Sequence, residues 1–473
     1  MTDDRQPEGD ASEMETTTGA PRDTWGSKLA FILAAAGSAV GLGNIWGFPT
    51  LAAANGGAAF LVIYLLAVVL VGAPVMLAEL SIGRRTQRNP VGAFRALRPG
   101  SPWVVLGGLG VFTGLMILSF YSVIAGWTIA YVVKIATGAI AAGVDTGAVF
   151  ADVAGSPVSA IGWHLAFMVL TILIVVGGVR GGIERWSMIL MPALAFLLVL
   201  LVLRAVTLPG AGAGLDFYLR PDFSEVTGRT VLAAIGQAFF SLSLGMGAMI
   251  TYGSYVSKKD DLETSALYVT GFDTSVAFLA GLLIFPTLFN AGMDPGEGGP
   301  GMVFVVLASL LGTIPPEPWG GVVFGVAFFV LLGIAALTSS ISLLEVATAW
   351  LVDEKGVSRK KASIGIATIA FLVGIPSALA NGAVPWLTSL PGIGMDLLSF
   401  LFALFGQYAL VLGALLISIF VGWVWGVENA AEEVRSNDGK FSFERTWSFL
   451  IRFLCPIAII ALLLFLLWQQ LGS

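Results

Sequence analysis

Charged residues, cysteine and histidine are all scarce in this chain of 473 residues, and each scarcity excludes a class of protein. Only 11% of the residues are charged, whereas soluble proteins carry about 25%, so the chain is not a soluble globular protein. The single cysteine, Cys455, excludes an internal disulfide and a metal site built from several thiolates. The only histidine, His164, follows Trp163 at the start of an apolar run, a position typical of an anchor at a membrane interface. Zinc hydrolysis and histidine-based catalytic triads are therefore not expected.

Apolar residues, by contrast, make up 57% of the chain, and the mean hydropathy is +0.90. These values are typical of a membrane protein that crosses the bilayer several times. The net charge of −6 gives no reason to expect a nucleic-acid partner. Residues 1–23 are polar and lack the apolar core of a signal peptide, so they are predicted to form a cytoplasmic tail.

Eleven apolar runs are long enough to cross a bilayer, because about 20 residues of helix span its hydrocarbon core. They are Trp25–Ala54, Ala58–Gly83, Pro102–Gly138, Ile161–Gly178, Trp186–Val206, Gly228–Val256, Leu262–Phe289, Gly321–Val352, Ala362–Ala380, Gly392–Val427 and Trp447–Leu471.

Arginines and lysines gather in alternate connections between these runs. They are Arg84, Arg85, Arg88, Arg95, Arg98, Arg180, Arg185, Lys258, Lys259, Lys355, Arg359, Lys360 and Lys361. Because short cytoplasmic loops carry the excess of cations, the N-terminus is predicted to be cytoplasmic. An odd number of spans then leaves the C-terminus on the extracellular or periplasmic side of the cell membrane.

One stretch inside the first span conflicts with a continuous helix. Residues 36–50 read A-G-S-A-V-G-L-G-N-I-W-G-F-P-T. A helix interior loses about 1 kcal/mol for each Gly and about 3 for Pro, so the helix is predicted to break where the glycines cluster. Broken backbone at membrane depth persists only where protein, ions or water satisfy its N–H and C=O groups. The break therefore predicts a binding site, with close helix packing through small residues as the alternative.

Span six contains a second interruption, Q-A-F-F-S-L-S-L-G-M-G-A-M-I-T-Y over residues 237–252. The two interrupted spans are five apart, so spans one to five are predicted to be repeated, inverted, by spans six to ten. The predicted fold class is an all-α integral membrane protein with a 5+5 inverted repeat, built from residues 24–206 and 228–427. Residues 428–442 are predicted to form a cytoplasmic loop, and residues 443–473 an appended eleventh helix.

Four motifs resemble the neurotransmitter:sodium symporter family, sodium-coupled amino-acid transporters that include the bacterial leucine transporter. They are G-S-A-V-G-L-G-N at 37–44, E-L-S-I-G-R at 79–84, S-L-S-L-G-M-G at 241–247 and L-T-S-S at 337–340. The resemblance begins near Arg22 and runs to the end of the chain. It implies the leucine-transporter-like fold, with discontinuous helices one and six.

The resemblance also implies two sodium sites, and a hard cation needs several oxygen ligands. The first site would combine the Ala39 carbonyl with Asn44, Ser241, Asp273 and the carboxylate of the substrate. The second would consist of carbonyls and hydroxyls from Gly37, Val40, Ala335, Thr338 and Ser339. Asp273 stands where better-known members carry asparagine, and a structural, hydrogen-bonded acid is the alternative for it.

Chloride-dependent relatives use a tyrosine, a glutamine and hydroxyls beside the first sodium site. Tyr64, Gln237 and Ser241 match these positions, but Ala277 stands where relatives carry serine or an acid. The carboxylate of Asp273 would supply the negative charge instead, so transport is predicted not to require chloride.

The half-helix that starts near Leu42–Gly43 would point its N–H groups at an anion, and an α-carboxylate fits there. Tyr121 matches the family tyrosine that bonds this carboxylate and, with Phe240, covers the site. The substrate site is expected to comprise Ser38, Ala39, Gly43, Ile117, Tyr121, Phe240, Ser241, Ser243, Met246, Ser339 and Leu343. Its side-chain pocket is mostly apolar and has no charge, so a neutral, hydrophobic amino acid is predicted, aliphatic or aromatic because Met246 is adaptable. Packing in the protein core is the alternative for the apolar members.

Two gates are expected for alternating access. The cytoplasmic gate would consist of Arg22, Trp25, Tyr255 and Asp353. On the outer side, Gly47 stands where the family has arginine, and its acidic partner aligns with Ser399, one turn after Asp396. Since both partners of that ion pair are gone, no charge is left without a partner. Closure is expected to depend on Tyr121 and Phe240, on waters, and on the loop after span seven. Because the outer ion pair is missing, the transporter is predicted to favour an outside-open conformation at rest.

Two acidic residues lie within the predicted spans. Glu79 matches a family glutamate that accepts hydrogen bonds from the break in span six, near Gly245. Glu345, in the middle of span eight, has no family role, and pairs locally or faces water.

The predicted function is sodium-coupled import of a neutral, hydrophobic L-amino acid by a monomer or homodimer, with two sodium ions and no organic cofactor. A symporter of the same fold for a betaine, osmolyte or small amine is one alternative. A non-transporting membrane sensor is another, although no signalling domain is apparent. An enzyme is not expected, because no H-E-x-x-H motif, paired catalytic aspartates or G-x-S-x-G triad context occurs.

Overall fold

The computed structural model describes residues 23–141, 143–293, 302–311, 319–435 and 441–471. Within these ranges the regular elements are all helical, as the sequence predicted. The first helices are α1 (Lys28–Ala39), α2 (Gly43–Ala54), α3 (Ala58–Thr86), α4 (Pro90–Leu97), α5 (Val104–Ala136), α6 (Thr146–Gly155), α7 (Pro157–Val175), α8 (Val179–Val206) and α9 (Ala211–Leu219). Then follow α10 (Gly228–Ser241), α11 (Ala248–Gly253), α12 (Leu262–Asn290), α13 (Met302–Leu307), α14 (Ala308–Leu311), α15 (Trp319–Lys355), α16 (Arg359–Ala378), α17 (Pro385–Thr388), α18 (Leu397–Arg435) and α19 (Glu444–Trp468).

Nine helices in the described ranges are long and apolar enough to cross a membrane, and the bent pair of α1 and α2 brings the number to ten. These ten coincide with ten of the eleven predicted spans. The remaining span, predicted at Gly228–Val256, is divided into α10 and α11, and each of these is too short to count as a span by itself. Helix α18 continues to Arg435, past the predicted end of its span at Val427.

Both predicted interruptions are present. Helix α1 ends at Ala39, Val40 is extended, and α2 starts at Gly43 after a bend of 53°. Helix α10 ends at Ser241, and α11 starts at Ala248 after three residues with positive φ: Ser243, Gly245 and Gly247. A β-carbon on Gly245 would lie 2.0 Å from the Leu410 carbonyl oxygen, so this approach of α18 to the break requires glycine.

The interrupted helices occupy the centre of the bundle. Helix α1 packs against α8, α12 and α15, while α10 packs against α3 and α19. The long helices α5 and α15 make the most extensive helix pair in the molecule. The two breaks therefore lie among continuous helices that supply side chains to them.

Helix α11 is in backbone contact with α3. A β-carbon on Gly83 would lie 2.1 Å from the Ile250 carbonyl oxygen, and one on Gly253 would lie 2.7 Å from the Leu80 carbonyl oxygen. Small residues allow such an approach between helices in a membrane. No side chain larger than glycine fits on either side of this contact without a shift of the backbone.

We call the two ends of the bundle the Trp25 end and the Asn55 end. The Trp25 end carries Trp25, Tyr255 and Arg84; Trp25 and Tyr255 are joined by a backbone hydrogen bond, and Arg84 donates to the Asp260 carbonyl. The Asn55 end carries Asn55 and Ser399, which line one cavity.

The prediction that His164 is an interfacial anchor is wrong. Its side chain is fully buried between α5 and α16. The imidazole Nε2 lies 3.1 Å from the Phe371 carbonyl oxygen, and the ring stacks on that of Phe371. Gly126 of α5 lies against the backbone at Trp163 and His164, and Gly374 of α16 lies against the imidazole ring. This histidine therefore has a packing role.

Candidate functional site

The backbone freed at the break between α1 and α2 is satisfied by side chains from within the break and from α5. The Gly41 N–H donates to Asn44 Oδ1 at 2.9 Å, and the Leu42 N–H donates to the Tyr121 hydroxyl at 3.1 Å. The broken backbone at this depth is thus held by buried polar partners, as membrane proteins require.

Three of the four residues predicted for the first sodium site form one buried cluster. The Asn44 Nδ2 donates to Asp273 Oδ1 at 2.7 Å and to Ser241 Oγ at 2.8 Å. The Ser241 hydroxyl donates to Asp273 Oδ2 at 2.8 Å, and the Tyr64 hydroxyl lies 3.3 Å from Ser241 Oγ. Ala39, the fourth residue, is the buried last residue of α1. The cluster concentrates oxygen atoms and one carboxylate beside the break.

The residues predicted for the second sodium site also come together, between α1 and α15. The Ser339 hydroxyl donates to the Val40 carbonyl at 3.0 Å, and the Thr338 hydroxyl donates to the Ala335 carbonyl at 3.0 Å. A β-carbon on Gly37 would lie 3.2 Å from Thr338 Cβ. The five residues thus place hydroxyls and carbonyls around the end of α1.

The predicted substrate residues surround the same gap. A β-carbon on Gly41 would lie 2.6 Å from Ser339 Oγ and 2.9 Å from the Tyr121 hydroxyl oxygen. One on Gly43 would lie 2.8 Å from the ring of Phe240. The glycines of the break are therefore in direct contact with three helices, α5, α10 and α15.

Deeper in the site, the Ser38 carbonyl accepts the Ser243 hydroxyl at 2.8 Å and lies 3.3 Å from Ser339 Oγ. Met246 and Leu343 approach Gly114 of α5, one turn before Ile117. Ile117, Met246 and Leu343 are all buried.

A cavity of about 540 Å³ extends from this site toward the Asn55 end. Tyr121, Phe240 and Gly43 line it, whereas Ile117, Ser243, Met246, Ser339 and Leu343 lie outside its lining. Tyr121 and Phe240 thus stand at the boundary between the deeper residues and the cavity.

Gly47 and Ser399, the two positions of the absent ion pair, both line this cavity. The Gln237 side chain lies 3.6 Å from a β-carbon on Gly47 and donates to the Gly43 carbonyl. Asp396 caps the start of α18, where it accepts from the backbone N–H and the hydroxyl of Ser399. Its carboxylate is therefore engaged within α18.

Phe402 of α18 is a further residue beside this site that the sequence did not single out. Its ring lies 5.5 Å from that of Phe240, edge to face at 78°, and 6.2 Å from that of Phe120. A β-carbon on Gly406, one turn later, would approach both Phe402 and Phe240. Aromatic pairs of this geometry add about 0.5–1.5 kcal/mol beyond apolar burial. The phenylalanine-rich sequence of span ten gave no means of selecting Phe402 from its neighbours.

The Trp25 end is closed by hydrogen bonds to the last turn of α11 and to the segment after it. The Trp25 N–H donates to the Tyr255 carbonyl at 3.1 Å, and the indole Nε1 donates to the Tyr252 carbonyl at 3.1 Å. Asp353 accepts from the backbone N–H and the side chain of Asn89. Arg22, the remaining residue predicted for this gate, lies outside the described residues.

Glu345 pairs locally, one of the two alternatives that the sequence left for it. The Tyr255 hydroxyl donates to Glu345 Oε1 at 2.7 Å, and Arg359 Nη1 donates to the same oxygen at 3.1 Å. Arg359 also bonds Glu345 Oε2, and its Nε donates to the Val175 carbonyl. Glu345 is fully buried, so this network joins α15 and α16 to the segment after α11.

Glu79 also matches its predicted role. Its Oε1 accepts the Gly245 N–H at 2.7 Å, in the middle of the second break. Its carboxyl group is fully buried. A side chain of α3 thus satisfies backbone that the interruption of span six leaves free.

Comparisons with known proteins cover nearly the whole chain. The model of the sodium:neurotransmitter symporter family matches residues 22–143 and 154–471. An uncharacterised sodium-dependent transporter of Bacillus subtilis is 42% identical over 93% of this chain and 96% of its own. The human sodium- and chloride-dependent GABA transporter 2 is 25% identical over 88% of this chain and 75% of its own. The crystal structure of MhsT in complex with L-phenylalanine superposes with a TM-score of 0.86 at 45% identity, covering 94% of this chain and 99% of MhsT.

Proposed function

The chain belongs to the sodium:neurotransmitter symporter family, and from this premise we propose that it imports a neutral, hydrophobic L-amino acid with two sodium ions and without chloride. It is a multi-pass membrane transporter that uses sodium, not an enzyme. The observation that carries the finer proposal is the cluster of Asn44, Ser241 and Asp273 beside the break between α1 and α2.

The first sodium ion would bind at this cluster. Asn44 Oδ1, Ser241 Oγ and the two Asp273 oxygens are hard ligands of the kind that sodium prefers. With the Ala39 carbonyl they would form a mixed shell in which Asp273 and the carboxylate of the substrate both face the ion. Binding would require the side-chain amide of Asn44 and the hydroxyl of Ser241 to turn their oxygens toward the ion.

The second sodium ion would bind between α1 and α15. The carbonyls of Gly37, Val40 and Ala335 with the hydroxyls of Thr338 and Ser339 supply five neutral oxygens. Since no carboxylate is among them, this site depends on the position of α1 relative to α15. It therefore couples sodium occupancy to the packing of the interrupted helix.

The substrate carboxylate would replace the contact between the Leu42 N–H and the Tyr121 hydroxyl as the main polar partner of the break. The start of α2 presents N–H groups and the positive end of its dipole to an anion. The α-ammonium would bind carbonyls near Ala39, Phe240 and Ser243. The side chain would then face Ile117, Met246 and Leu343, which are apolar. The complex of MhsT with L-phenylalanine supports an aromatic or large aliphatic substrate.

Chloride independence rests on Asp273. Its carboxylate lies within 2.8 Å of Ser241 Oγ, which is 3.3 Å from the Tyr64 hydroxyl. A fixed negative charge beside the sodium ion removes the need for a bound anion. Ala277, at the remaining family position, offers no polar atom.

We assign the outer gate to the edge-to-face contact of Phe240 and Phe402, which line the same cavity as Tyr121. The inner gate is assigned to Trp25, Tyr255, Asp353 and Arg22, with Glu345 as an additional partner of Tyr255. The cavity on the Asn55 side, together with the closed Trp25 end, supports the expected outside-open bias. The cation-rich loops at the Trp25 end favour a cytoplasmic position for it.

The gate assignment predicts that Phe402→Ala accelerates release of bound amino acid toward the Asn55 side. The loss of an aromatic pair worth about 0.5–1.5 kcal/mol corresponds to about twofold to tenfold faster release. Dissociation of a labelled amino acid from the purified protein measures it. Phe405→Ala is the matched control, because Phe405 pairs with Phe112 outside the cavity lining. Equal release from the two variants contradicts the assignment.

The proposed function predicts uptake that needs sodium but not chloride. Purified protein in liposomes would be tested with labelled Leu, Met, Phe, Trp, Gly and betaine, in chloride and in gluconate. We expect uptake of the large apolar amino acids, unchanged in gluconate and absent when sodium is replaced by choline. Preferred uptake of betaine supports the osmolyte alternative, and an absence of uptake for all six compounds contradicts the proposal.

The same liposomes test the stoichiometry. One charge moved through 100 mV supplies about 2.3 kcal/mol. Two sodium ions with a neutral substrate therefore sustain about two-thousand-fold accumulation at that potential without a sodium gradient, and one ion about fortyfold. The plateau of accumulation at a clamped potential separates these two values.

A further inference from the structure

A second cavity, of about 260 Å³, lies at the Trp25 end between the last turns of α18 and the first turns of α19. It is separate from the ion and substrate site and from the gates. Glu428, Glu444 and Arg452 supply its charges, while Phe449 and Phe453 supply apolar walls. A cavity with one guanidinium and two carboxylates has the charge pattern that a zwitterionic group would complement.

The guanidinium of Arg452 has no hydrogen-bond acceptor in the part of the chain that the structure describes, although the Arg452 carbonyl accepts from the indole of Trp423. Its Nε is buried without an acceptor. Its nearest carboxylate oxygen belongs to Glu428, 4.0 Å from Nη1, which is beyond hydrogen-bond distance. The guanidinium instead lies 4.6 Å from the centre of the Trp423 ring. Because a guanidinium has five donors in a planar fork that fits a phosphate group, the donors of Arg452 that have no acceptor could bind such a group.

The two carboxylates of the cavity favour a ligand that carries a cationic group as well as a phosphate. Glu428 is largely exposed, and Glu444 Oε2 lies 3.2 Å from Arg435 Nε. Two carboxylates beside a phosphate would repel a ligand that is only anionic. They would attract a cationic group a few ångströms from the phosphate, and a primary ammonium can also donate hydrogen bonds to them.

The surroundings indicate a lipid rather than a soluble phosphate. Trp423, Phe449 and Phe453 are 55%, 59% and 42% exposed. Aromatic side chains of this kind concentrate at the level of lipid headgroups. The apolar surface continues along α19 through Ile457, which is 66% exposed. An acyl chain that follows this surface would leave its headgroup at Arg452.

We infer that this cavity binds the headgroup of one zwitterionic phospholipid with a primary ammonium group. The phosphate lies on Arg452 above the Trp423 ring, and the ammonium lies between Glu428 and Glu444. The acyl chains follow Phe453 and Ile457 along α19. This site does not depend on the identity of the transported substrate.

The test is native mass spectrometry of the delipidated protein with acyl-matched phosphatidylethanolamine, phosphatidylcholine and phosphatidylglycerol, each at the same concentration. We expect one phosphatidylethanolamine per chain to be retained about tenfold more than either other lipid, because charge-assisted hydrogen bonds distinguish it. Soluble glycerophosphoethanolamine at the same concentration should not displace it. Displacement by this compound means a soluble phosphate site and overturns the assignment to a lipid.

Two variants test the roles of the charges. Arg452→Gln should lower retention of phosphatidylethanolamine about tenfold. Glu428→Gln should reduce its advantage over phosphatidylcholine while leaving phosphate binding. Arg445→Gln is the matched control, since it removes an exposed cation of the same helix that does not line the cavity. Equal retention of the three lipids by the unaltered protein, or equal loss in Arg445→Gln and Arg452→Gln, overturns the inference.

Discussion

Asp273→Asn is expected to abolish sodium-driven uptake in chloride-free medium and to restore part of it when chloride is added. The substitution keeps the shape of the side chain but removes the only carboxylate that the protein places at the proposed first sodium site. In the native protein Asn44 and Ser241 each donate a hydrogen bond to one carboxylate oxygen of Asp273. The substitution replaces one of these two acceptor oxygens by an NH₂ group, so one of the two hydrogen bonds loses its acceptor. Charge-assisted contacts are worth about 1.5–3 kcal/mol each, so sodium affinity should fall about tenfold to hundredfold.

The measurement is the sodium concentration that gives half-maximal uptake, in gluconate and in chloride. Asp396→Asn is the control, since it makes the same change in a carboxylate that only caps α18. A sodium requirement that stays the same in Asp273→Asn shows that this carboxylate is structural, the alternative that the sequence left open. If chloride does not restore the lost uptake, Asp273 acts as a sodium ligand and not as a substitute for chloride.

Glu345→Gln is expected to destabilise the protein and to loosen the Trp25 end. The substitution removes the carboxylate partner of Arg359, which is largely buried, and weakens the acceptor of the Tyr255 hydroxyl. Breaking a buried ion pair by removal of one partner costs about 3–5 kcal/mol, because the other charge remains. Since Tyr255 also binds Trp25, part of this loss should appear as faster opening of the proposed inner gate.

Thermal unfolding of the purified protein and hydrogen exchange over residues 23–39 measure the two effects. The double variant Glu345→Gln with Arg359→Gln should recover most of the stability, because no charge is then stranded. Glu354→Gln is the control on the same helix, where the carboxylate pairs with the half-exposed Arg95 and the expected loss is below about 1 kcal/mol. A double variant that is less stable than Glu345→Gln alone contradicts this explanation.

The parts of the fold that the sequence predicted are those with a local physical cause. The glycines of residues 36–50 and 241–247 cost helix stability where they stand, so the breaks follow from the residues themselves. Spans follow in the same way from continuous apolar length. The predicted span from Gly228 to Val256 differs, because its break divides it into two helices that are each too short to cross the membrane alone.

The features that the sequence did not predict depend on contacts between distant residues. Phe402 is one of several phenylalanines in its span, and its contact with Phe240 arises only when α18 lies over α10. The partners of Glu345 come from the segment after α11 and from the start of α16. His164 was assigned to an interface because its sequence neighbour is a tryptophan, whereas its surroundings are set by α5 and α16. Periodicity and composition contain no information of this kind.

The glycine contact between α3 and α11 has a mechanical consequence. With Gly83 against the Ile250 carbonyl and Gly253 against the Leu80 carbonyl, α11 cannot slide or tilt relative to α3 without breaking this backbone contact. Glu79 joins the same helix to the break through the Gly245 N–H. A movement of α11 that preserves these contacts therefore requires α3 to move with it.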